Sequence, residues 1–387
     1  MTEETTTAPE ETTTAPEKTM TAPKEEPKAS SKANGAVMLV GLDLGTNTSF
    51  ILGGSQESND FETSKLLPSV VGYVGDGIIQ GILPSDDRFF FGEEALENKL
   101  HLKLVWPLKD GVINDMAAAK DYVKHLRSLV DPSGAKEIRA VIGMPANTTK
   151  ESRETLRAVV TGVFERVLLI PEPFLAALGN REDSRLNEKN YVDPVQNSLF
   201  VDIGAGTTDL CLVQGYFPKP NDQISFPVAG DTIDEMIQNE IEQVYPDIRL
   251  THLQIREIKE KHSYVGRSRR PIDEKVIVAG KSQTIEVADA VGNSCNLLLN
   301  KIFDSIRELI ARASPDSVAQ LMQNILITGG GSRIKGIDTE LQNMLVEDGF
   351  ESPKVKTVGV DYKRFVGVGA MKAARAARDN QWQILFK

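Results

Sequence analysis

An α/β fold in which two related halves face one another across a cleft is predicted by three observations. LVGLDLGTNTSFIL at 39–52 is echoed by LFVDIGAGTTDLCLV at 199–213, each an apolar strand, an Asp, a Gly-rich turn with Thr and a returning strand. Strand-like and helix-like stretches alternate from residue 36 onward. The length of 387 residues, with 40% apolar and 26% charged side chains, is too great for one ordinary core and suits two linked domains.

The first 35 or so residues stand apart. EETTTAP, EETTTAP and EKTMTAP repeat with a seven-residue period, yet nothing apolar occupies coiled-coil seam positions and each copy carries a Pro. Such a stretch buries too little surface to offset the entropy of ordering, so an acidic flexible tail is expected, either a tether or an end with no role of its own. From Ala36 onward the texture is globular. Val37–Val40 with Leu42, then Ser49–Leu52, read as strand, turn, strand. Residues 61–105 are rich in Gly, Pro and Phe, with short β-like pieces (SVVGYVG, GIIQGIL, RFFFG), and look like a small inserted lobe. Met116–Val130 carries Tyr122, Val123, Leu126, Leu129 and Val130 at helical spacing. AVIGMP (140–145) reads as a buried strand, Lys150–Val163 as a helix, RVLLIPEP as a strand ending in a Pro-bounded turn, and Phe174–Leu178 as the opening of another helix.

Residues 181–197 are polar and breaker-rich, the best internal linker. Beyond them, Asp231–Val244 carries Ile233, Ile237, Ile241 and Val244 on one helical face. His252–Val265 also reads as helix, KVIVAGKSQTIEV as a hairpin, and Asn296–Ala313 as a long amphipathic helix. NILITGGGSRIKGI (324–337) is a strand running into a Gly-rich turn and a helix, and Gly367–Arg378 closes the chain as a helix.

Composition narrows the function. A net charge of −11 argues against a nucleic-acid-coating surface, which needs clustered Lys and Arg to displace counterions. The run Arg267, Arg269, Arg270 reads as a solvated loop. Cys211 and Cys295 fit no CxxC spacing and lie in apolar stretches, as buried reduced thiols do. No apolar run reaches the roughly 20 residues needed to cross a bilayer, and the N-terminus lacks a signal-peptide core. A cytoplasmic protein is expected.

The doubled motif carries the chemistry. A Gly-rich turn lets backbone N–H groups approach phosphate oxygens, and Thr hydroxyls add donors. An Asp just before the turn, Asp43 and again Asp202, can accept from the waters of a hydrated Mg²⁺, an ion that binds through few carboxylates. β-type residues follow both turns, so these are hairpins, whereas a P-loop or dinucleotide turn opens a helix. The rival motifs fail: VAGKSQT has Lys275 where a Walker A loop needs Gly, and the run from Gly204 gives GxGxxD. Gly329-Gly330-Gly331 follows a strand, and a side-chain-free turn there would let a base or ribose lie against backbone.

DLGT (43–46), DIGAGTTD (202–209) and TGGGSRIKGI (328–337), in this order and spacing, resemble the phosphate-1, phosphate-2 and adenosine motifs of the actin superfamily, and the resemblance runs from about residue 37 to the end. PLKDGVI (107–113), PEPFLAALG (171–179) and VAGDTIDEMI (228–237) are similar to the bacterial actins of the MreB/MamK family, leaning toward its magnetosome-organising branch, and REIKEKHSYVG (256–266) is similar to a nucleotide-proximal helix. The resemblance implies an actin-like ATPase fold of two related α/β domains in four subdomains around a nucleotide cleft. The boundaries it implies are a first domain at 36–180, a second at 198–355 with a smaller subdomain at about 234–287, and a C-terminal segment, 356–387, returning to the first.

It also implies roles. Asp43 and Asp202 would hold the hydration shell of Mg²⁺, and Gly45, Thr46, Asn47, Gly204, Ala205, Gly206 and Thr207 would contact the phosphates of ATP. Glu172 matches the residue that orients the attacking water; Pro171 and Pro173 fix its backbone, and the first turn of a helix favours its ionised form. Arg256, Lys259 and Glu260 match ribose- and base-side contacts, Gly329, Gly330, Gly331 and Ser332 the adenosine floor, and Gly230 a second backbone approach. Two departures put catalytic strength in question: Phe50 stands where actin has a phosphate-binding Lys, and Ala205 where it has an Asp. The function implied is an ATP-hydrolysing actin that polymerises with itself, organises magnetosomes and engages an organelle or adaptor protein, without membrane insertion or nucleic acid. A wall-organising or plasmid-segregating filament, or a kinase of the same fold, is the alternative.

Overall fold

The computed structural model describes residues 37–384 apart from 59, 80, 110, 133–136, 146–147, 190, 217, 268–269, 279 and 359–361. The tail at 1–35, Arg269 of the basic run and most of the polar loop DPSGAKE at 131–137 lie outside the described residues.

The chain opens on an antiparallel hairpin, β1 (Met38–Leu44) and β2 (Thr48–Ser55), extended by β3 (Thr63–Pro68). A lobe follows: β4 (Val71–Val74), β5 (Phe89–Phe91), α1 (Gly92–Glu97) and β6 (Leu102–Val105), with strand order β5-β4-β6. A short hairpin, β7 (Leu108–Lys109) and β8 (Val112–Ile113), leads into α2 (Met116–Val130). Asp115 caps α2 by accepting from the Ala118 N–H at 2.9 Å, and Tyr122, Val123, Leu126 and Val130 bury one face. Then come β9 (Ile138–Met144), α3 (Lys150–Val160), β10 (Arg166–Pro171) and α4 (Glu172–Asn180).

The second half repeats the scheme: β11 (Ser198–Ile203), β12 (Thr208–Val213), β13 (Gln223–Phe226), α5 (Gly230–Val244), α6 (His252–His262), the hairpin β14 (Asp273–Val278) and β15 (Lys281–Glu286), α7 (Ala288–Arg312), α8 (Pro315–Met322), β16 (Ile325–Thr328), α9 (Ile337–Glu347) and β17 (Val355–Thr357). The chain then returns: α10 (Tyr362–Ala376) packs against β1 and α4, and β18 (Gln383–Ile384) pairs with β10.

The two large sheets have the same plan. In β3-β2-β1-β9-β10 and in β13-β12-β11-β16-β17 the first three strands are antiparallel neighbours and the last two are added in parallel. In each, one helix (α3 or α9) makes the crossover between the last two strands. Each half has its own core, and a third cluster lies between them, where Leu39, Leu52 and Val141 of the first sheet and Phe200, Val213 and Leu326 of the second pack on α4 and α10. Cys211 and Cys295 are free and buried, and burial pushes the Cys295 thiol up to about 11 and Cys211 well above its usual value.

Some elements differ from expectation. The described residues of GIIQGIL (77–83) form no strand: Gly77 and Gly81 adopt φ of +88° and +85°, which interrupts an extended run, and Ile79 is 71% exposed. The helix expected to run to Val265 ends at His262, because the Val265 N–H donates to the Lys335 carbonyl and the Lys335 N–H to that of Ser263. α7 starts at Ala288, since Val291, Ser294 and Cys295 continue the buried stripe through a locally polar stretch. The 181–197 stretch is ordered by ion pairs where it is described, Arg181 with Asp193 at 3.5 Å and Lys372 with Asp183 at 2.8 Å.

One contact is expected to make the packing of α2 on the lobe sensitive to acid. His125 of α2 stacks on Phe91, rings 4.3 Å apart and 9° from parallel. Burial, then the charge of Lys65, lowers the imidazole pKa from 6.5 to about 4. The unfolded chain therefore takes up this proton first: the contribution is intact above about pH 6.5 and is lost as the pH falls from there toward 4. Between pH 7 and 4.5 this residue should cost about 1–2 kcal/mol of unfolding free energy, after allowance for partial solvation. His125→Phe should remove that part of the slope in denaturant titrations; an unchanged slope would assign the acid sensitivity to other groups.

Candidate functional site

The two hairpins share one register. β1 and β2 pair Asp43 with Phe50 and Leu44 with Ser49, while β11 and β12 pair Asp202 with Asp209 and Ile203 with Thr208. Each turn therefore leaves its strand at the same step after its Asp. In the first turn the Gly45 carbonyl accepts from the Ser69 hydroxyl at 2.7 Å and the Asn47 carbonyl from the Ser69 N–H at 2.8 Å. In the second, the carbonyls of Gly204, Ala205 and Thr207 accept from the N–H groups of Gly230, Asp231 and Gly204 at 3.2, 2.8 and 2.9 Å. These bonds tie back the groups that would repel phosphate oxygens, which suits both turns to an anion.

Both turns open on one cleft of about 1250 Å³, its open mouth included. From the first half come Asp43, Gly45, Thr46 and Asn47, and from the second Asp202, Gly204, Ala205, Gly206 and Thr207. Glu172 enters from the first turn of α4, Gly230 from the start of α5, Lys259 and Glu260 from α6, and Gly329, Gly330 and Gly331 from the turn after β16. Asp43 and Asp202 are buried at 3% and 9% exposure.

Close approach explains the glycines. Gly329 has φ +78°, and a Cβ there would run into Asp202 Oδ1 and the Ile203 carbonyl; one on Gly331 would meet the Ile203 side chain. A Cβ on Gly143 of β9 would sit 2.8 Å from Glu172 Cγ, so a bare backbone seats the Glu172 side chain.

Arg256 and Ser332 are not on the cleft wall. Ser332 is buried and donates to the Gly329 carbonyl at 2.7 Å. Arg256 donates to Asn47 Oδ1 at 3.3 Å, and Asn47 Nδ2 donates to Asp231 Oδ1 at 3.3 Å, so the amide of a first-half turn is held by two second-half side chains. Lys259 Nζ lies 2.9 Å from Asp234 Oδ2 and donates to the Gly230 carbonyl at 2.7 Å. Burial raises the pKa of Asp234, and Lys259, Arg256 and His252 oppose that rise. Phe50 is turned away from the cleft into the core against Gly367.

The cleft also contains residues to which sequence reasoning attached no role. Asp209 and Gly111 lie within quoted motifs, and the Gly111 N–H donates to Thr46 Oγ1 at 3.2 Å. Pro145, Ser263, Arg333, Ile334 and Val366 join them, and Pro145 and Val366 carry no local signal because only packing brings them to the cleft.

A model of the MreB/Mbl protein family matches residues 92–348. The actin-like protein MamK of Magnetospirillum gryphiswaldense is 32% identical over 313 residues, which cover 80% of this chain and 81% of that protein. Among solved structures, a MamK double helical filament superposes with a TM-score of 0.78 at 30% identity, over 88% of this chain and 100% of that one. A non-polymerising MamK mutant bound to AMPPNP superposes with a TM-score of 0.64 at 30% identity, over 88% and 99%.

Proposed function

The chain belongs to the MreB/Mbl family and has an actin-like fold, and from that premise we propose that it binds Mg-ATP in the cleft, hydrolyses it and assembles with its own copies into cytoplasmic filaments that position magnetosomes. The observation that carries this reading is the pair of hairpins in identical register, which brings Asp43 and Asp202 with their Gly-Thr turns to one cavity.

The residues fit the ligand. The turns would bind the β- and γ-phosphates through backbone N–H groups, that of Thr207 included, and the Thr46 hydroxyl, and the bare glycines 329–331 would let the adenosine lie on backbone. Two buried carboxylates, with Gly329 cleared of a Cβ beside Asp202, suit Mg²⁺, which would neutralise phosphate charge while keeping most of its water. Glu172 would orient the attacking water, and placement counts most in phosphoryl transfer.

Assembly rests on the relatives: a MamK forms a double helical filament, and a filament needs a head-to-tail contact that does not close on itself. Phosphate contacts from both halves would favour the closed cleft, so the nucleotide state would bias the contact between copies. The finer cellular role, with an organelle or adaptor protein as partner, rests on the likeness to MamK.

The full chain should sediment and show filaments by electron microscopy with Mg-ATP, releasing phosphate, and should do neither when magnesium is chelated. Persistent monomer at tens of micromolar with no phosphate released would overturn the proposal.

A further inference from the structure

The two hairpins differ where their chemistry diverges. Position for position, the cross-strand partner of the first Asp is Phe50, packed into the core, and that of the second is Asp209, which reaches the cleft. A carboxylate is therefore not what this topology needs at that place. Asp209 is 2% exposed, and its Oδ2 lies 3.0 Å from Thr207 Oγ1. Between a hydroxyl and a carboxylate only the hydroxyl can donate, so the one Thr207 proton is committed to Asp209. What Thr207 then offers to the cleft is lone pairs: its hydroxyl is a fixed acceptor. Thr46 is the opposite case, since its oxygen accepts from the Gly111 N–H and its proton stays available to a phosphate.

We propose that Asp209 is a positioning residue that sets the polarity of the Thr207 hydroxyl, so that Thr207 and Glu172 together accept the two protons of the attacking water. The inference rests on the ATPase reading above. With both protons engaged, a water lone pair is aimed at the terminal phosphorus. The water oxygen forms the new P–O bond, and the bond from that phosphorus to the bridging oxygen breaks with its electron pair passing to ADP. One water proton passes through Glu172 to solvent, and the other leaves on hydrogen phosphate.

Asp209→Asn tests this, because an amide can donate to Thr207 and reverse the hydroxyl. With the full chain, kcat for phosphate release should fall about 10- to 100-fold. The affinity for ATP in equilibrium binding and the unfolding midpoint should stay close to parental. Thr207→Val should show the same loss, and the double variant no further loss, because the two act as one unit. Asp209→Glu, which keeps the acceptor, should recover part of the rate. Parental kcat in Asp209→Asn, or losses that multiply in the double variant, would overturn the proposal and leave the ATPase reading standing. If Asp209→Asn does not fold, Thr207→Val decides alone, and parental kcat in that variant overturns the proposal. A parental chain that binds ATP without releasing phosphate overturns both.

Discussion

Replacing Glu172 with alanine is expected to slow ATP hydrolysis by about 10²- to 10³-fold while ATP binding stays within about threefold of parental. The carboxylate belongs to the first residue of α4, where the helix dipole favours its ionised form and Pro171 and Pro173 restrict the backbone. β9 meets it with Gly143, whose missing Cβ leaves room for Glu172 Cγ. Truncation removes an acceptor for a water proton and leaves both phosphate turns, the glycine floor and the two Asp residues in place. Losing the acid favoured by the helix dipole costs the fold about 0.3–1 kcal/mol. Single-turnover phosphate release set beside equilibrium ATP binding checks the separation. Filaments of this variant should form with ATP and outlast those of the parental chain, because the nucleotide state that closes the cleft persists. A variant that turns over at the parental rate would remove Glu172 from any part in the reaction.

The second large effect is on stability. α4 and α10 cross backbone to backbone: a Cβ on Gly369 would coincide with the Leu175 carbonyl, one on Gly179 with that of Phe365, and one on Gly41 of β1 with that of Gly367. Ala is the better helix former by about 1 kcal/mol, and an exposed Gly→Ala in a helix would stabilise. At Gly369 the obstacle is the carbonyl of a second helix packed in the core between the sheets, which cannot step aside as a side chain could. Overpacking of this kind costs about 1–3 kcal/mol or more and exceeds the propensity gain. Gly369→Ala is thus expected to destabilise by at least about 2 kcal/mol in chemical unfolding. It should also displace Glu172 and Val366, which the same two helices present to the cleft, so phosphate release should fall as well. Parental stability in this variant would mean that the helices can separate freely at their crossing.

The contrast between the hairpins and the rest of the cleft shows what was legible from residues alone. Each hairpin encodes its turn, its Asp and its return within about 15 residues, so alternation and glycine placement suffice to read it. α2 was readable to its ends because Asp115 caps it and its apolar stripe is regular. GIIQGIL misled because its apolar residues satisfy a strand composition while Gly77 and Gly81 take left-handed backbone, and among the described residues it pairs with no strand. Ser332 and Arg256 lie off the cleft wall for another reason: each belongs to a motif at the cleft, and the direction of a side chain within a motif depends on its packing and hydrogen-bond partners.

The sequence by itself determined the local pieces of this protein: two Asp-Gly-Thr hairpins, their doubling, and the helices and strands that join them, all set by turn chemistry and hydrophobic period over short spans. Only the tertiary structure decided which side of each piece meets the ligand. It turned Phe50 under Gly367 and the equivalent Asp209 toward Thr207, engaged the Asn47 amide from the opposite half, and brought Val366 to Glu172 through a glycine crossing. Those outcomes depend on close packing between residues up to hundreds of positions apart, and no local pattern encodes what will lie across the cleft.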